Sequence, residues 1–326
     1  MIITRTPLRI SLGGGGTDLP SYYQRFGGFV ISAAINKYIY ISANRAFRDG
    51  YFLKYSKIEN AASIDQVDHN IFREALRLMN IAPRIDISSI ADVPAGTGLG
   101  SSGSFTVGLL QALYAYKRLP VSTRELARIA NDLEMNILGE PCGKQDQYIA
   151  AYGGVMCQEY LADGSVTMTP LNVSDDTLRG LKEHLMLFFT GYSRTASELL
   201  QDQKIRSQSG DTTMLENLHF IKDLGHRIKI ILEAGDLSGF ADLMHEHWLH
   251  KRQRSAKTSN DRIDEIYAIA RDNGALGGKL VGAGGGGFLM FFTTERQRLR
   301  AKMTESGLQE MDFDFDFDGS IVQLRN

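Results

Sequence analysis

Cysteine is nearly absent from this sequence: of 326 residues only Cys142 and Cys157 carry a thiol. Two thiols make no disulfide framework, so a reducing compartment fits. Excess charge is lacking too. Lys and Arg number 36 against 38 Asp and Glu, and a formal net charge of -2 gives no reason to expect a nucleic-acid or anionic-membrane partner. No apolar run approaches the ~20 residues of a membrane-spanning helix. The stretch Met1-Ile2-Ile3-Thr4-Arg5 lacks the apolar core of a signal peptide, and a cytoplasmic protein is the expectation. Internal repeats of 20–50 residues and long low-complexity tracts are also missing. What is present is a hydrophobic content of 43%, ample for a substantial core, in a length that suits two domains or one large one.

The chain is organised around Pro94-Ala95-Gly96-Thr97-Gly98-Leu99-Gly100-Ser101-Ser102-Gly103-Ser104. A strand-like run, Ile85 to Ile90, precedes it, and an apolar helix-forming segment, Phe105 to Tyr116, follows. Glycines let the backbone turn tightly and approach a ligand. A helix N-terminus offers unpaired N–H groups and the positive end of the dipole to phosphate oxygens. Serine hydroxyls there reach a phosphate-bound metal. The stretch therefore reads as a nucleotide-phosphate cradle, with a plain glycine connection as the alternative. It is not a Walker A loop, because no lysine follows a glycine in register; Gly139 to Lys144 is one residue short and lacks the hydroxyl. Nor is it Gly-x-Gly-x-x-Gly, since the third position after Gly98 is Ser101.

Residues 2–12 read as a strand ending in Gly13-Gly14-Gly15-Gly16-Thr17-Asp18. Asp18 is either a carboxylate for sugar hydroxyls beside bare backbone or a cap for the next helix. Residues 28–42 are β-rich, and 65–80 read as a helix with Ile71, Ala75, Leu76 and Met79 in one stripe. Ser122 and Glu125 form a capping box opening a helix that runs to about Leu138 and carries Glu134. Asp146 follows a Gly/Pro-bearing loop at the start of another helix, and Val155 to Pro170 reads as a hairpin turning at Asp163-Gly164. The sequence turns polar between Asn172 and Gly180, a place for a domain change. Beyond it come a buried strand, Leu185 to Thr190, and helices over 214–234, 239–251 and 262–273. The run Gly277 to Gly287 then leads into the strand Phe288 to Phe292 and suggests close backbone approach.

Three segments imitate other chemistry. In His245-Glu246-His247-Trp248-Leu249-His250, a zinc HExxH would need histidine where Leu249 stands. Asp314-Phe315-Asp316-Phe317-Asp318-Gly319 copies half a calcium loop, but its twelfth position is Arg325; the alternation reads as a strand with one buried face. Lys251, Arg252, Arg254 and Lys257 form a basic cluster that is either a solvated face or a clamp for a substrate phosphate.

Taken in order, Pro7 through Asp18, Pro94 through Ser104 and Lys279 through Gly287 resemble the three motifs of the GHMP kinase superfamily. Within it, Arg5 to Leu19, Phe189 to Ser197 and Gly277 to Phe288 look most like the bacterial D-glycero-D-manno-heptose 7-phosphate kinases, with the kinase domain of fucokinases also similar. The resemblance implies two α+β domains, a ribosomal S5 domain 2-like region over 1–172 and a ferredoxin-like region over 173–326, with the active site in the cleft between them. It implies an ATP- and Mg²⁺-dependent sugar 1-kinase, with a homo-oligomer left open. Pro94, Gly96, Gly98, Leu99, Gly100, Ser101, Ser102, Gly103 and Ser104 would cradle ATP, and Ser102 and Glu134 would hold the metal. Asp146 matches the carboxylate that activates the acceptor hydroxyl, and Arg9 the basic residue that orients it. Gly15, Gly16, Thr17, Asp18, Arg194, Gly284 and Gly285 would face the sugar. Four glycines stand where galactokinases carry Gly-Glu-His, which argues against galactose. Phosphoryl transfer needs positioning and charge neutralisation more than covalent catalysis, so this set of groups suffices. A sensor of sugar and ATP on the same fold is the rival from another class.

Overall fold

A computed structural model describes residues 1–192, 197–255 and 257–325. The elements run β1 (Ile2–Gly13), α1 (Pro20–Phe26), β2 (Gly28–Arg45), β3 (Tyr51–Lys54), β4 (Ile58–Ala61), α2 (Asn70–Leu78), β5 (Ile85–Ala91), α3 (Ser101–Tyr116), α4 (Thr123–Asp132), α5 (Gln145–Tyr152), β6 (Val155–Tyr160) and β7 (Val166–Pro170). They continue with α6 (Asp175–His184), β8 (Leu185–Phe189), α7 (Ser197–Gln208), α8 (Thr212–Glu233), α9 (Leu237–Gln253), α10 (Asp261–Asp272), β9 (Ala275–Leu280), β10 (Phe288–Thr293), α11 (Arg296–Glu305), β11 (Gln309–Met311) and β12 (Ile321–Arg325).

Two sheets organise these elements into an α+β architecture. The larger has the order β12-β1-β2-β5-β3-β4, with β6 and β7 extending it from the other half of β2. The long β2 carries this branching: Ile39–Arg45 pairs with β5, and Gly28–Ala33 pairs with β6. The smaller sheet is antiparallel, in the order β11-β8-β10-β9. Its strands follow a β-α-β-β-α-β pattern with spatial order 4-1-3-2, the ferredoxin-like arrangement. The larger sheet draws on residues 2–170 and on 321–325, because the chain returns to lay β12 against β1.

α3 is apolar around most of its circumference, with Val107, Leu109, Leu110, Ala112 and Leu113 fully buried. A helix of that kind belongs inside a fold. It packs against β1 and β2 on one side and α4 and α5 on the other. α2, by contrast, buries only the stripe Ile71, Phe72, Ala75 and Leu76.

Several expected elements differ in detail. The helix expected over 65–80 is a 3₁₀ turn, Ile64–Gln66, followed by α2. Ser122 caps α4 by accepting from Glu125 N at 3.2 Å, but Glu125 pairs with Arg128 instead of closing the box. After α4 the chain loosens into a π-helical turn, Leu133–Ile137, which carries Glu134. The strand expected through the Phe/Asp alternation does not form, and only Ile35 and Phe315 bridge there. Asp316 instead folds the segment into a turn, its Oδ1 accepting from Gly319 N at 2.8 Å and Asp318 N at 3.1 Å. Phe313 is buried and Phe317 is exposed. The local side-chain acceptor there wins over a sheet ladder.

Candidate active site

A cleft of about 1150 Å³ lies between the two sheets, lined by both glycine-rich motifs and by the end of β1. The motifs touch. Gly98 has φ +82°, and a Cβ there would lie 2.6 Å from Val281 O; one on Gly282 would lie 2.6 Å from Gly98 Cα. Neither position has room for a side chain, so the glycines let the two halves of the site close on each other.

α3 points its N-terminus into the cleft, with Gly100 in the left-handed conformation just before Ser101. Pro94, Gly96, Gly98, Gly100, Ser101, Ser102 and Gly103 all line the cleft. Leu99 and Ser104, expected in the same role, face the protein. Leu99 is fully buried, its carbonyl accepting from Arg9 N at 3.0 Å, and Ser104 Oγ donates to Pro7 O at 2.7 Å.

Arg9 and Asp146 meet beside this cradle. Arg9 Nε donates to Asp146 Oδ1 at 2.8 Å, and Nη1 donates to Gly98 O at 2.5 Å. Asp146 sits in the first turn of α5, where a carboxylate faces the favourable end of the dipole. Its Oδ2 has no protein partner among the described residues. Gly103 lets α3 and α5 approach closely enough to fix that carboxylate, since a Cβ there would lie 2.7 Å from Asp146 Cβ.

Ser102 Oγ donates to Glu134 Oε2 at 2.5 Å, while Gln147 Nε2 donates to Glu134 Oε1 at 2.9 Å. Glu134 is 3% exposed, and burial raises its pKa above the ordinary carboxylate value despite those donors. Gln147 Oε1 is buried with no partner, so the group around Glu134 has acceptor capacity left over. A hydroxyl, a carboxylate and a spare amide oxygen suit a hard cation that keeps water and phosphate ligands. No cluster of three or more His, Cys, Asp or Glu poised for a metal occurs among the described residues.

Asp18 does not cap α1, whose N-cap position is Leu19 and which has no side-chain cap. Its carboxylate accepts from Gly16 N and Gln145 N, both at 3.2 Å, tying the four-glycine loop to the start of α5. Burial, then the charge of Asp146, raises its pKa. Gly15, Gly16 and Asp18 line the cleft. Thr17 does not: its hydroxyl accepts from Phe29 N at 3.0 Å and lies 2.9 Å from Gly14 O. Gly284 lines the cleft, but Gly285 turns away and donates to Thr258 O at 2.9 Å. Arg194 lies outside the described residues.

The basic cluster splits in two. Arg252 and Lys257 are exposed and paired with Asp264 and Glu198. Lys251 and Arg254 line the cleft. The histidines on α9 also separate, as their spacing requires. His245 contacts Tyr267 OH at 2.7 Å, and His247 contacts Lys279 Nζ at 3.3 Å.

The model of the GHMP kinases N-terminal domain matches residues 69–154, and that of the GHMP kinases C-terminal region matches 228–308. A D-glycero-alpha-D-manno-heptose 7-phosphate kinase of Campylobacter jejuni is 32% identical, covering 98% of this chain and 97% of its own length. The chain belongs to the GHMP kinase superfamily.

This GHMP kinase is accordingly a phosphotransferase with an alcohol acceptor, in a superfamily that uses ATP as phosphate donor. Among solved structures, a D-glycero-D-manno-heptose 1-phosphate kinase from Bacteroides thetaiotaomicron superposes with a TM-score of 0.80 at 26% identity, covering 99% of both chains. An L-fucokinase/L-fucose-1-P guanylyltransferase of Bacteroides fragilis is 25% identical over 93% of this chain, which spans only 36% of that longer protein. No helix among the described residues is long and apolar enough to cross a membrane.

Some residues of this GHMP kinase site were not evident as such from the sequence. Gln145, Gln147, Gln203 and His247 line the cleft without belonging to any motif. So does an aromatic group: Tyr55 and Phe105 lie 4.8 and 5.3 Å from the His69 ring. For the α9 residues a signal was available. His247, Lys251 and Arg254 are spaced four and three apart and share one helix face, whereas Arg252 leaves it.

Proposed function

We propose that this GHMP kinase transfers the γ-phosphoryl group of ATP to the anomeric hydroxyl of D-glycero-D-manno-heptose 7-phosphate, giving the 1,7-bisphosphate. The observation that carries the reading is the Arg9–Asp146 pair, 2.8 Å apart, at the mouth of a helix N-terminus built for phosphate. The full-length likeness to a heptose 7-phosphate kinase supplies the sugar.

In this reading the backbone N–H groups of Ser101–Gly103 and the α3 dipole bind the triphosphate. Ser102 and Glu134 would hold Mg²⁺, which when bound neutralises charge on the β- and γ-phosphates. Asp146 accepts the proton of the acceptor hydroxyl on the oxygen that Arg9 leaves free. An anomeric hydroxyl is more acidic than the other hydroxyls of a sugar, so an ordinary carboxylate is base enough. Arg9, held by Gly98 O, fixes the direction of that carboxylate. Asp18 receives sugar hydroxyls.

A second reading, an L-fucose-type 1-kinase, is favoured by the fucokinase match alone. Coupled ADP release with ATP and Mg²⁺ separates the two. Turnover is expected with heptose 7-phosphate, with the new phosphate on C1 by ³¹P NMR; turnover confined to free L-fucose would overturn the reading. Asp146→Asn should lower kcat by about 10²- to 10⁴-fold, the worth of general-base catalysis, while nucleotide binding measured by calorimetry stays within about threefold. Near-native turnover would remove Asp146 as the base, and silence of the wild type on every sugar would leave a sensor.

A further inference from the structure

Three cations are buried in this cleft without an acidic partner at ion-pair distance among the described residues. Lys279 is 2% exposed and Lys251 7%; Arg254 keeps some surface open to the cleft although neighbours enclose its head. Their protein contacts are neutral. Lys279 Nζ reaches Leu12 O at 3.2 Å and His247 Nδ1 at 3.3 Å. Lys251 Nζ donates to Leu280 O at 2.7 Å and Gly282 O at 2.5 Å. Arg254 donates to Asn217 Oδ1 and Gly15 O at 3.2 Å and to Gln203 Oε1 at 3.3 Å.

Such an arrangement costs stability, because buried charge is tolerated when paired. The cations also repel one another: burial and then the charges of Arg9 and Arg254 push Lys279 down to about 7. The nearby acids do not offset them. Asp146 is committed to Arg9, and Asp18 is the one carboxylate whose charge acts on Arg254. When all are charged, the three cations less the one carboxylate carry a surplus of two, which a bound phosphate monoester would match and hold in place.

The position is informative too. Arg254 lies over Gly16, where a Cβ would come within 2.4 Å of Nη1, and Lys279 holds the carbonyl of Leu12 at the same end of β1. Arg254 contacts the four-glycine loop that ends in Asp18 and Lys279 the strand end that leads into it; neither bonds the Ser101–Ser104 turn. Lys279 opens the third glycine motif, and Lys251 bonds its carbonyls at Leu280 and Gly282.

We propose that Arg254, Lys279 and Lys251 form the subsite for the phosphate that the acceptor sugar already carries, beside Asp18 and apart from the nucleotide cradle. This rests on the reading of the acceptor as a sugar phosphate. It makes the second phosphate a determinant of acceptor choice: a neutral sugar leaves three buried cations uncompensated, whereas a sugar phosphate neutralises them on binding. Arg254 supplies the planar fork suited to phosphate, and the two lysines supply point charge.

The test uses the full chain saturated with a non-hydrolysable ATP analogue and Mg²⁺, so that the cradle is filled. Inorganic phosphate, as the probe, should raise Tm in the wild type, and Arg254→Gln should need about 10- to 100-fold more phosphate for the same shift. In steady-state kinetics Arg254→Gln and Lys279→Met should raise KM for heptose 7-phosphate by the same factor, with KM for ATP within about threefold. Arg254→Lys should recover part of the loss. Lys279→Met should also raise the Tm of the unliganded protein, whereas a cation that merely braces Leu12 would lower it.

A rise confined to KM for ATP would assign the cations to the triphosphate and overturn the proposal. So would a phosphate titration and a sugar KM that ignore Arg254→Gln; the heptose reading would then stand without this subsite. If the wild type turns over only neutral sugars, the heptose reading fails. The titration then decides the anion site by itself, a wild-type shift lost in Arg254→Gln upholding it and no shift removing it.

Discussion

Replacing Gly103 by alanine isolates how finely the proposed base must be held. Gly103 is the third residue of α3 and does not need a left-handed backbone, so alanine is compatible with its conformation. The obstacle is space. A Cβ there would lie 2.7 Å from Asp146 Cβ and 3.0 Å from Gln147 N. Ordinary contact begins at 3.4 Å and extends to 4 Å, so the first turn of α5 must retreat by 0.7 to 1.3 Å (3.4 and 4 less 2.7). That retreat moves Asp146 off its 2.8 Å bond to Arg9 and draws Gln147 from Glu134. A misplacement of about 1 Å is worth about 10²-fold in rate. Stability changes less, since alanine returns about 0.5–1 kcal/mol of helix preference against about 1–3 kcal/mol of overpacking. The expected result is kcat for ADP release lowered about 10²-fold at saturating substrates, with Tm within a few degrees of wild type. A kcat within threefold of wild type would refute the reasoning: either Asp146 tolerates a 1 Å shift, or the α3–α5 contact does not set its position.

Two other perturbations follow from the buried charges. Glu134→Gln keeps the shape but loses the anionic oxygen, and about 10- to 100-fold more Mg²⁺ should be needed for half-maximal turnover; a Mg²⁺ titration that overlays the wild type would remove Glu134 from the metal site. Lys279 should make stability depend on alkaline pH. Its folded value is about 7 against 10.5 unfolded, so the penalty is fully present below 7, and between those values the unfolded chain binds the extra proton. Stability should therefore rise with pH across that window by up to about 1.4 kcal/mol per unit, and the rise should disappear in Lys279→Met. Urea midpoints at pH 7 and 9.5 measure it, and an equal rise in both proteins would assign it to other groups.

What the sequence disclosed follows from how locally each feature is encoded. β1, α3 and the β9–β10 pair are marked by periodicity or by continuous apolar runs, and the glycine motifs bracket the cleft. Asp146 and Arg9 were legible as candidates, yet their 2.8 Å contact spans 137 residues of chain and leaves no local trace. The π-helical turn that carries Glu134 was read as plain helix, because an inserted residue does not disturb a short apolar stripe. The Phe/Asp alternation had the period of a strand, but Asp316 offered the backbone a nearer acceptor than any neighbouring strand. The basic cluster was treated as a block of charge, when helical phase divides Lys251 from Arg252 and Lys257 lies beyond the helix. Lys279 sat inside a recognised motif, and its burial against Leu12 depends on the whole fold.

The pairing of β12 with β1 has a consequence for how the molecule is made. Ile2 aligns with Arg325 and Ile3 with Leu324, so the strand that carries Arg9 waits for a neighbour synthesised more than 300 residues later. Until then its outer edge presents unpaired N–H and C=O groups, an invitation to pair with another chain. Such late, long-range closure slows folding and lengthens the time at risk of aggregation. A fragment ending before β8 would keep that edge permanently open. The consequence is confined to one end of β1: Ile2–Arg5 gains its second neighbour only when β12 arrives, whereas Arg9 lies in the part of the strand that β2 and the Leu99 carbonyl already hold.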